Sequence, residues 1–380
     1  SSLISSTSVL ILFLTPRIFA NSFYNSKDMV FLSFFIIAIY YSSKFLKKQN
    51  NKNIVLASLF CALTIDTRIA GIIIPFFLLF IFFIETLIAG KKLKFLALSK
   101  YFSLLILFII FFWPFLWQNP LKNFVEAYIV VSKYPINFEF LFNGSFVSTS
   151  SVPFYYHVQW ILISLPVINI LLFFLGIFFF IFDFKTNYRK FYPNFIQDLF
   201  VFLILFSVIF LTVFLNITSY DGWRHFYFIY PLIIFFSICA INRILLFNNT
   251  KTKYLIIFFV FTSIIYNLFW IVKNHPHQNV YFNFLAGKNL TNKFQMDYWG
   301  LSYKQNLEIM FLSETDNKEI KVHNLSSNKL FYHSLSLKDK LRDRIKIVSD
   351  IEDADYVVDN FNYREKPNLF YLEKYFETLN

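Results

Sequence analysis

Two short charged segments stand between long apolar runs and contain the residues best suited to chemistry. The first, Pro16–Asp28, places Arg17 and Lys27 beside Asp28. The second, Tyr220–Tyr227, reads YDGWRHFY. A carboxylate can hold a metal ion or accept a proton from a hydroxyl, while Arg and His can bind or neutralise a phosphate. Ionisable groups beside membrane-embedded helices cost free energy, so these segments predict a functional site.

The composition predicts a membrane protein. The 380 residues are 57% hydrophobic and 22% aromatic, with a mean hydropathy of +0.54, which exceeds what a soluble core of this length needs. The apolar runs that predict spans are Leu3–Leu14, Met29–Tyr41, Ile54–Ile65, Ile69–Leu87, Tyr101–Trp117, Trp160–Phe182, Leu199–Leu215, Phe226–Ile241 and Tyr254–Val272. We therefore expect an α-helical polytopic membrane protein with about nine spans, although several runs are shorter than the roughly 20 residues of a straight span.

Basic residues alternate between dense and sparse loops. The dense loops carry Lys44, Lys47, Lys48 and Lys52; Lys91, Lys92, Lys94 and Lys100; Lys185, Arg189 and Lys190; and Arg243, Lys251 and Lys253. The positive-inside rule assigns these loops to the cytoplasm, so both charged segments and everything after Val272 should face the other side. We predict a multi-pass membrane protein, for which the family resemblance described below implies the inner (cell) membrane. This charge pattern explains the net charge of +12 without nucleic-acid binding.

A change in composition near Val272 predicts two domains. Residues 1–272 form a transmembrane region whose outward loop, 118–157, is long enough that we expect it to fold over the outer face. Residues 273–380 form a small extracytoplasmic α/β domain. Its predicted elements are strands at Glu319–Asn324, Arg344–Val348 and Asp355–Asp359 and a helical turn at Leu337–Arg342.

Several site classes are disfavoured by the sequence. Cys61 and Cys239 lie inside apolar runs, which indicates neither a disulfide framework nor a thiolate metal site. Seven glycines and the lack of a Gly-rich phosphate loop make ATP or NAD an improbable ligand. No cofactor is firmly predicted, but a divalent metal ion at Asp28 is a hypothesis that the sequence allows.

Each charged residue also has a structural interpretation. Asp28 could cap the N-terminus of the helix that follows it. Asp66 and Arg68 could form a local ion pair at a helical hairpin turn. Arg224 and His225 could be interfacial residues of an aromatic belt. Judged one at a time, these residues do not decide between structure and function.

Taken in order, several runs resemble a known family. They are Pro16–Asp28, Asp66–Gly71 and Gly222–Pro231, followed after the last span by His277–Asn283 and Asp297–Ser302. Together they resemble bacterial relatives of the dolichyl-phosphate-mannose protein mannosyltransferases, which belong to the GT-C membrane glycosyltransferases. The resemblance touches most of the chain.

The resemblance implies inverting transfer of a sugar from a polyprenyl-phosphate donor to an acceptor on the outer face of the membrane. Asp28 would be the second acidic site residue, associated with a metal ion or with the donor phosphate. Arg68 and Arg224 would face that phosphate, with Lys27 and His225 in support. The main base of the family lies in a first outward loop, and since the sequence begins without Met, we expect the chain to be N-terminally incomplete.

The expected partners are a lipid-linked sugar donor, membrane lipid, and an acceptor that is a protein, a lipid or a glycan; nucleic acid is not expected. A secondary transporter or flippase of a lipid-linked substrate is the main alternative. Such proteins usually show internal repeats and charges near mid-membrane, whereas this sequence shows no convincing repeat and gathers its charges on one face. A structural or assembly protein whose tail binds a partner is a third interpretation.

Overall fold

The chain is mostly helical, with two small sheets. The computed structural model describes residues 2–89, 95–132, 137–186, 195–215, 217–314, 318–326 and 330–363. Within these ranges, seven helices are long and apolar enough to cross a membrane. The fold is therefore consistent with the predicted multi-pass helical membrane protein.

The helices are bounded as follows: α1 (Ser2–Phe13), α2 (Pro16–Tyr24), α3 (Ser26–Lys47), α4 (Asn51–Thr67), α5 (Ile73–Ala89), α6 (Phe95–Phe112), α7 (Pro120–Ser132), α8 (Tyr156–Ser164), α9 (Val167–Thr186), α10 (Phe195–Phe214), α11 (Tyr230–Leu245), α12 (Thr250–Lys273), α13 (Ser302–Ser313), α14 (Leu330–Ser334) and α15 (Asp339–Arg342). The strands are β1 (Glu139–Phe142), β2 (Ser145–Ser148), β3 (Ile320–Asn324), β4 (Ile345–Val348) and β5 (Tyr356–Val358).

Three of the predicted spans differ from the structure. The first run is α1, which is bent by 67° from α2, so the two helices make at most one broken span. The third run is α4, whose 17 residues are fewer than the roughly 20 of a straight span. The run Trp160–Phe182 is divided between α8 and α9. Pro166 explains this break, because proline disfavours helical backbone at the preceding residue.

The chain divides into two compact units. The first comprises Ser1–Pro135, Leu165–Leu215 and Trp223–Asn267; the second comprises Ile136–Ser164, Asn216–Gly222 and Leu268–Asn380. The second unit thus takes two segments from the predicted region 1–272 as well as the predicted domain 273–380. The predicted loop 118–157 contains α7 and the β1–β2 hairpin. Of the basic residues used to predict orientation, Lys91, Lys92, Lys94, Arg189 and Lys190 lie outside the described residues.

The first unit is built from helices that approach one another closely. Helix α3 packs on α4, α4 on α6, and α9 on α11. At Gly176 of α9, an added Cβ would overlap the backbone carbonyl of Phe236 in α11. Small residues at such contacts let helix backbones approach within a membrane. Gly176 therefore sets the distance between α9 and α11.

A buried polar network ties the bend between α1 and α2 to α9 and α11. The Tyr230 hydroxyl lies 2.6 Å from Thr15 Oγ1 and 2.8 Å from Asn169 Nδ2. Thr15 Oγ1 also donates to the carbonyl oxygen of Ile11 at 2.8 Å. In a membrane, polar groups need partners within the protein, and this network supplies them at the bend.

The second unit contains both sheets. The antiparallel hairpin β1–β2 turns at Asn143 and Gly144, which both have positive φ, as a tight hairpin turn requires. The parallel sheet has the order β4-β3-β5, and its apolar core includes Tyr303, Leu307 and Val322. The three predicted strands are confirmed to within two residues, and the predicted helical turn corresponds to α15.

Candidate functional site

Asp28 is the centre of a buried charge cluster in the first unit. Its carboxylate contacts the guanidinium group of Arg68 and lies 3.8 Å from that of Arg224. The Asp28 side chain is 3% exposed, compared with 22% for Arg68 and 9% for Arg224. Residues from three separate segments of the chain therefore meet at one carboxylate.

Asn25 positions Asp28. It ends α2 and caps α3, with its Oδ1 accepting from the Asp28 backbone N–H at 3.2 Å. Its Nδ2 donates to Asp28 Oδ2 at 2.8 Å and to Asn21 Oδ1 at 2.9 Å. The helix cap is thus Asn25, and Asp28 is the third residue of α3 rather than the cap itself. Asn25 was not among the predicted site residues; the signal for it is a capping residue three positions before an acidic one.

Arg68 stands at the end of α4, where the backbone becomes extended (φ −152°, ψ 130°) before a 3-10 helix at Ile69–Ile72. Both carboxylate oxygens of Asp66 are buried without a hydrogen-bond partner among the described residues. The local Asp66–Arg68 ion pair is therefore wrong, and Arg68 pairs with Asp28 instead. Its guanidinium also lies 5.9 Å from the centre of the Phe31 ring, within reach of a cation–π interaction.

Gly71 keeps Arg68 in place. The Gly71 N–H donates to the Arg68 carbonyl oxygen at 2.9 Å, and an added Cβ would lie 2.8 Å from Thr64 Cγ2 and 2.9 Å from the Thr64 carbonyl carbon. We expect Gly71→Ala to lower stability by about 1–3 kcal/mol through overpacking and to shift Arg68. The thermal midpoint in detergent micelles measures this loss. Gly71→Ala with Thr64→Ser should recover part of it, because that change removes Cγ2; a single variant as stable as wild type would contradict the prediction.

Arg224 begins a 3-10 helix, Arg224–Ile229, that leads into α11. Phe228 of this segment packs against Phe31 and Phe35 of α3, with ring centres 4.9 Å and 4.6 Å apart. The Tyr227 hydroxyl accepts from Asn21 Nδ2 at 3.5 Å. The segment is therefore fixed on α3, and the burial of Arg224 next to Asp28 replaces the interfacial-belt interpretation for this residue.

The two weaker site predictions lie beside the cluster. Lys27 precedes Asp28, is exposed, and is repelled by the charges of Arg68 and Arg224. His225 follows Arg224 in the same 3-10 helix and is half-buried. Arg68 and Arg224 thus face one carboxylate, and Lys27 adds a third positive charge close enough to be repelled by both of them. This excess of positive charge favours an anionic ligand, and phosphate suits the bidentate geometry of arginine.

Comparison with known proteins assigns no function to this site. No protein-family model and no curated protein matches the chain.

The residues around Asp28 do not fit a divalent metal ion. Among the described residues, no group of three or more His, Cys, Asp or Glu side chains is placed to hold one. One Asp28 oxygen contacts Arg68 and the other accepts from Asn25, so cationic and amide groups stand where further oxygen ligands would be needed. No chemical step is therefore assigned to a metal at Asp28.

The second unit holds polar residues from the tail motifs and a buried histidine. Asp297 accepts from Asn279 Nδ2 at 2.9 Å and from the backbone N–H and hydroxyl of Ser302, both at 2.8 Å. These bonds join the segments His277–Asn283 and Asp297–Ser302 to each other.

His157 is a buried histidine of the second unit. Its Nε2 lies 2.8 Å from Ser219 Oγ, and burial lowers the pKa of His157 to about 4. His157 is therefore neutral at pH 7.

Proposed function

We propose that this protein is a membrane glycosyltransferase that moves a sugar, with inversion, from a polyprenyl-phosphate donor to an acceptor on the outer face of the cell membrane. The observation that carries the proposal is the buried carboxylate of Asp28 held between Arg68 and Arg224 at the ends of apolar helices. A lipid-linked phosphosugar is an anion that reaches its enzyme from the bilayer, and this cluster offers it positive charge at the membrane boundary.

The two arginines would bind the donor phosphate. Arg68 is 22% exposed and can turn one edge of its guanidinium group to a ligand while Asp28 holds the other. An acceptor hydroxyl attacks the anomeric carbon from the face opposite the phosphate, and the bond between that carbon and the phosphate oxygen breaks. The electron pair leaves with the polyprenyl phosphate, whose developing charge the guanidinium groups stabilise.

Asp28 suits the role of orienting the arginines better than that of taking the hydroxyl proton. One of its oxygens contacts Arg68 and the other accepts a hydrogen bond from Asn25, so both are engaged before an acceptor hydroxyl arrives. The proton would pass to another carboxylate, for which the family resemblance implies a residue of the first outward loop. In this proposal Asp28 is the second acidic residue, and it acts on the donor phosphate through the arginines that it orients.

An apolar groove supports the choice of a lipid-linked donor. It has a volume of about 490 Å³ and lies between α5 and α10, lined by Phe77, Leu203, Phe206, Ser207, Ile209, Phe210, Val213 and Phe214. Helix α5 follows Arg68 after one 3-10 helix, so the groove starts at the same end of α5 as the charge cluster. An isoprenoid chain could lie in the groove while its phosphate reaches Arg68.

The orientation and the number of spans belong to the same proposal. If α1–α2 together make one crossing and α4 makes another, the chain crosses the membrane nine times. The lysine-rich loops then stay on the cytoplasmic side throughout. The charge cluster and the parallel sheet would both face the periplasm or the cell exterior.

The bend between α1 and α2 is the observation that favours the alternative function. Broken helices form the substrate sites of many secondary transporters, and the break here precedes the buried residue Arg17. A flippase would carry a lipid-linked substrate across the bilayer without cleaving it. Cleavage of the donor therefore separates the two functions.

The deciding experiment measures release of polyprenyl phosphate by the complete protein in proteoliposomes, with a panel of radiolabelled polyprenyl-phosphate sugars. Wild type should release it, and Arg224→Gln should lower the rate by about 10²–10³-fold, the usual effect of removing one group that stabilises a developing negative charge. Arg243→Gln is the matched control, because Arg243 pairs with Asp183 at 3.1 Å elsewhere in the first unit; it should keep the rate. Intact donor crossing the bilayer without release would instead support the flippase.

A further inference from the structure

A cavity of about 680 Å³ lies at the end of α3 opposite the charge cluster. It is bounded by the last turn of α3, the first turns of α4 and the first turns of α6. Because α3 has 22 residues, this cavity is roughly 30 Å along the helix from Asp28. It is therefore separate from the proposed donor site.

The cavity is positively charged. Among the described residues that line it, Lys47, Lys48 and Lys100 are basic and none is acidic. Gln49, Asn50 and Asn51 add amide groups that can donate hydrogen bonds. Three ammonium groups around one concave surface repel one another, and an anion would relieve that repulsion.

The turn that presents two of these lysines is held rigid. The side-chain amide of Asn53 donates to the carbonyl oxygens of Lys48, at 2.8 Å, and Lys44, at 3.2 Å. The Asn50 side chain accepts from the Asn53 N–H at 2.9 Å and so caps α4. The backbone at Lys47 and Lys48 is thus fixed before any ligand arrives, which lowers the entropic cost of binding.

An apolar surface adjoins the lysines. Phe95 is 74% exposed and Leu96 is 69% exposed, and both line the cavity at the first turn of α6, one helical turn from Lys100. Exposed apolar side chains at the end of an apolar helix are stable where lipid covers them. Lys100 lies one turn further into the helix, and because helical side chains point toward the N-terminus, its ammonium group can reach back to the headgroup layer beside Phe95 and Leu96. The ligand should therefore carry both an anionic group and acyl chains.

We infer that this cavity binds the phosphate headgroup of an anionic phospholipid from the leaflet at this end of α3. Basic pockets between membrane helices bind such headgroups. The lysines contact the phosphate, and Phe95 and Leu96 pack against the acyl chains. This site requires no sugar donor and would be occupied during turnover as well as at rest.

The experiment measures lipid retained on the purified, delipidated complete protein by native mass spectrometry, with phosphatidylglycerol and phosphatidylcholine added in turn. Wild type should retain phosphatidylglycerol at least tenfold more strongly. The triple variant Lys47→Gln/Lys48→Gln/Lys100→Gln should lose most of this preference, since each lysine contributes about tenfold or less near an anionic headgroup. The control triple variant Lys185→Gln/Lys251→Gln/Lys253→Gln removes the same charge elsewhere and should keep the preference.

Two results would overturn the inference. One is an unchanged preference for phosphatidylglycerol in the cavity triple variant, or in Lys48→Gln/Lys100→Gln should the triple variant not fold. The other identifies free phosphate as the ligand. In that case inorganic phosphate would raise the thermal midpoint of wild type as much as phosphatidylglycerol does, and Phe95→Gln/Leu96→Gln would retain the lipid as well as wild type.

Discussion

Asp28→Asn is expected to destabilise the first unit by about 3–5 kcal/mol, the typical cost of leaving a buried charge without its partner. The carboxylate is 3% exposed and faces two guanidinium groups, so its neutralisation leaves Arg68 and Arg224 to repel each other. The thermal midpoint in detergent micelles, followed by size-exclusion chromatography, measures the loss. The same substitution should abolish the proposed sugar transfer, because the arginines would no longer be held in position.

The matched control is Asp183→Asn. Asp183 is 1% exposed, yet among the described residues it pairs with Arg243 alone. Its neutralisation should cost less stability and leave transfer intact. The double variant Asp28→Asn/Arg68→Gln tests the cause, because removing one guanidinium should recover part of the stability without recovering transfer. If Asp28→Asn matched wild type in both stability and transfer, this result would contradict both the stabilising role of the Asp28 ion pairs and the proposed donor site.

Gly176→Ala is expected to lower the stability of the first unit by about 3 kcal/mol or more, at the upper end of overpacking costs. The added Cβ would overlap the Phe236 carbonyl oxygen, which belongs to the backbone of α11 and cannot rotate away. Helices α9 and α11 would have to separate along their contact. The yield of monodisperse protein and its thermal midpoint both report this change.

Leu171→Phe is the control for Gly176→Ala. Leu171 lies on α9 and is 60% exposed, so extra volume there should change the midpoint little. Because the obstacle at Gly176 is backbone, Phe236→Ala should not rescue Gly176→Ala. A rescue, or a neutral effect of Gly176→Ala, would show that α9 and α11 are not in close contact.

The sequence predicted the helical class, the three strands of the parallel sheet and the three residues of the charge cluster. It predicted the segments that contain Asp28 and Arg224 because charged residues beside apolar runs are rare enough to be informative, whereas the assignment of Arg68 and Arg224 to a phosphate came from the family resemblance. It did not predict which charges would pair. Proximity in sequence favoured Asp66 for Arg68, but residues two positions apart on a helix do not face each other, and the extended backbone at Arg68 turns its side chain to another helix.

Helix breaks were the other source of error. The run Trp160–Phe182 contains no charged residue and only two polar ones, Ser164 and Asn169, so composition alone gave no reason to divide it, although Pro166 is present. The role of Asn25 was also missed, because a capping residue is recognised only when the helix start is placed correctly. Apolar runs therefore predict how much chain is in the membrane better than they predict where each helix begins.

At the bend between α1 and α2, the partners of the Tyr230 hydroxyl determine which group donates in each hydrogen bond. The Asn169 amide can only donate to it, so the single Tyr230 proton goes to Thr15, and the Thr15 proton goes to the Ile11 carbonyl. The Thr15 N–H bonds instead to Leu12, so a side-chain proton replaces the helical bond that Ile11 would otherwise accept. The Ile11 carbonyl thus keeps a hydrogen bond at the bend, through a buried chain of three donors: the Asn169 amide, the Tyr230 hydroxyl and the Thr15 hydroxyl.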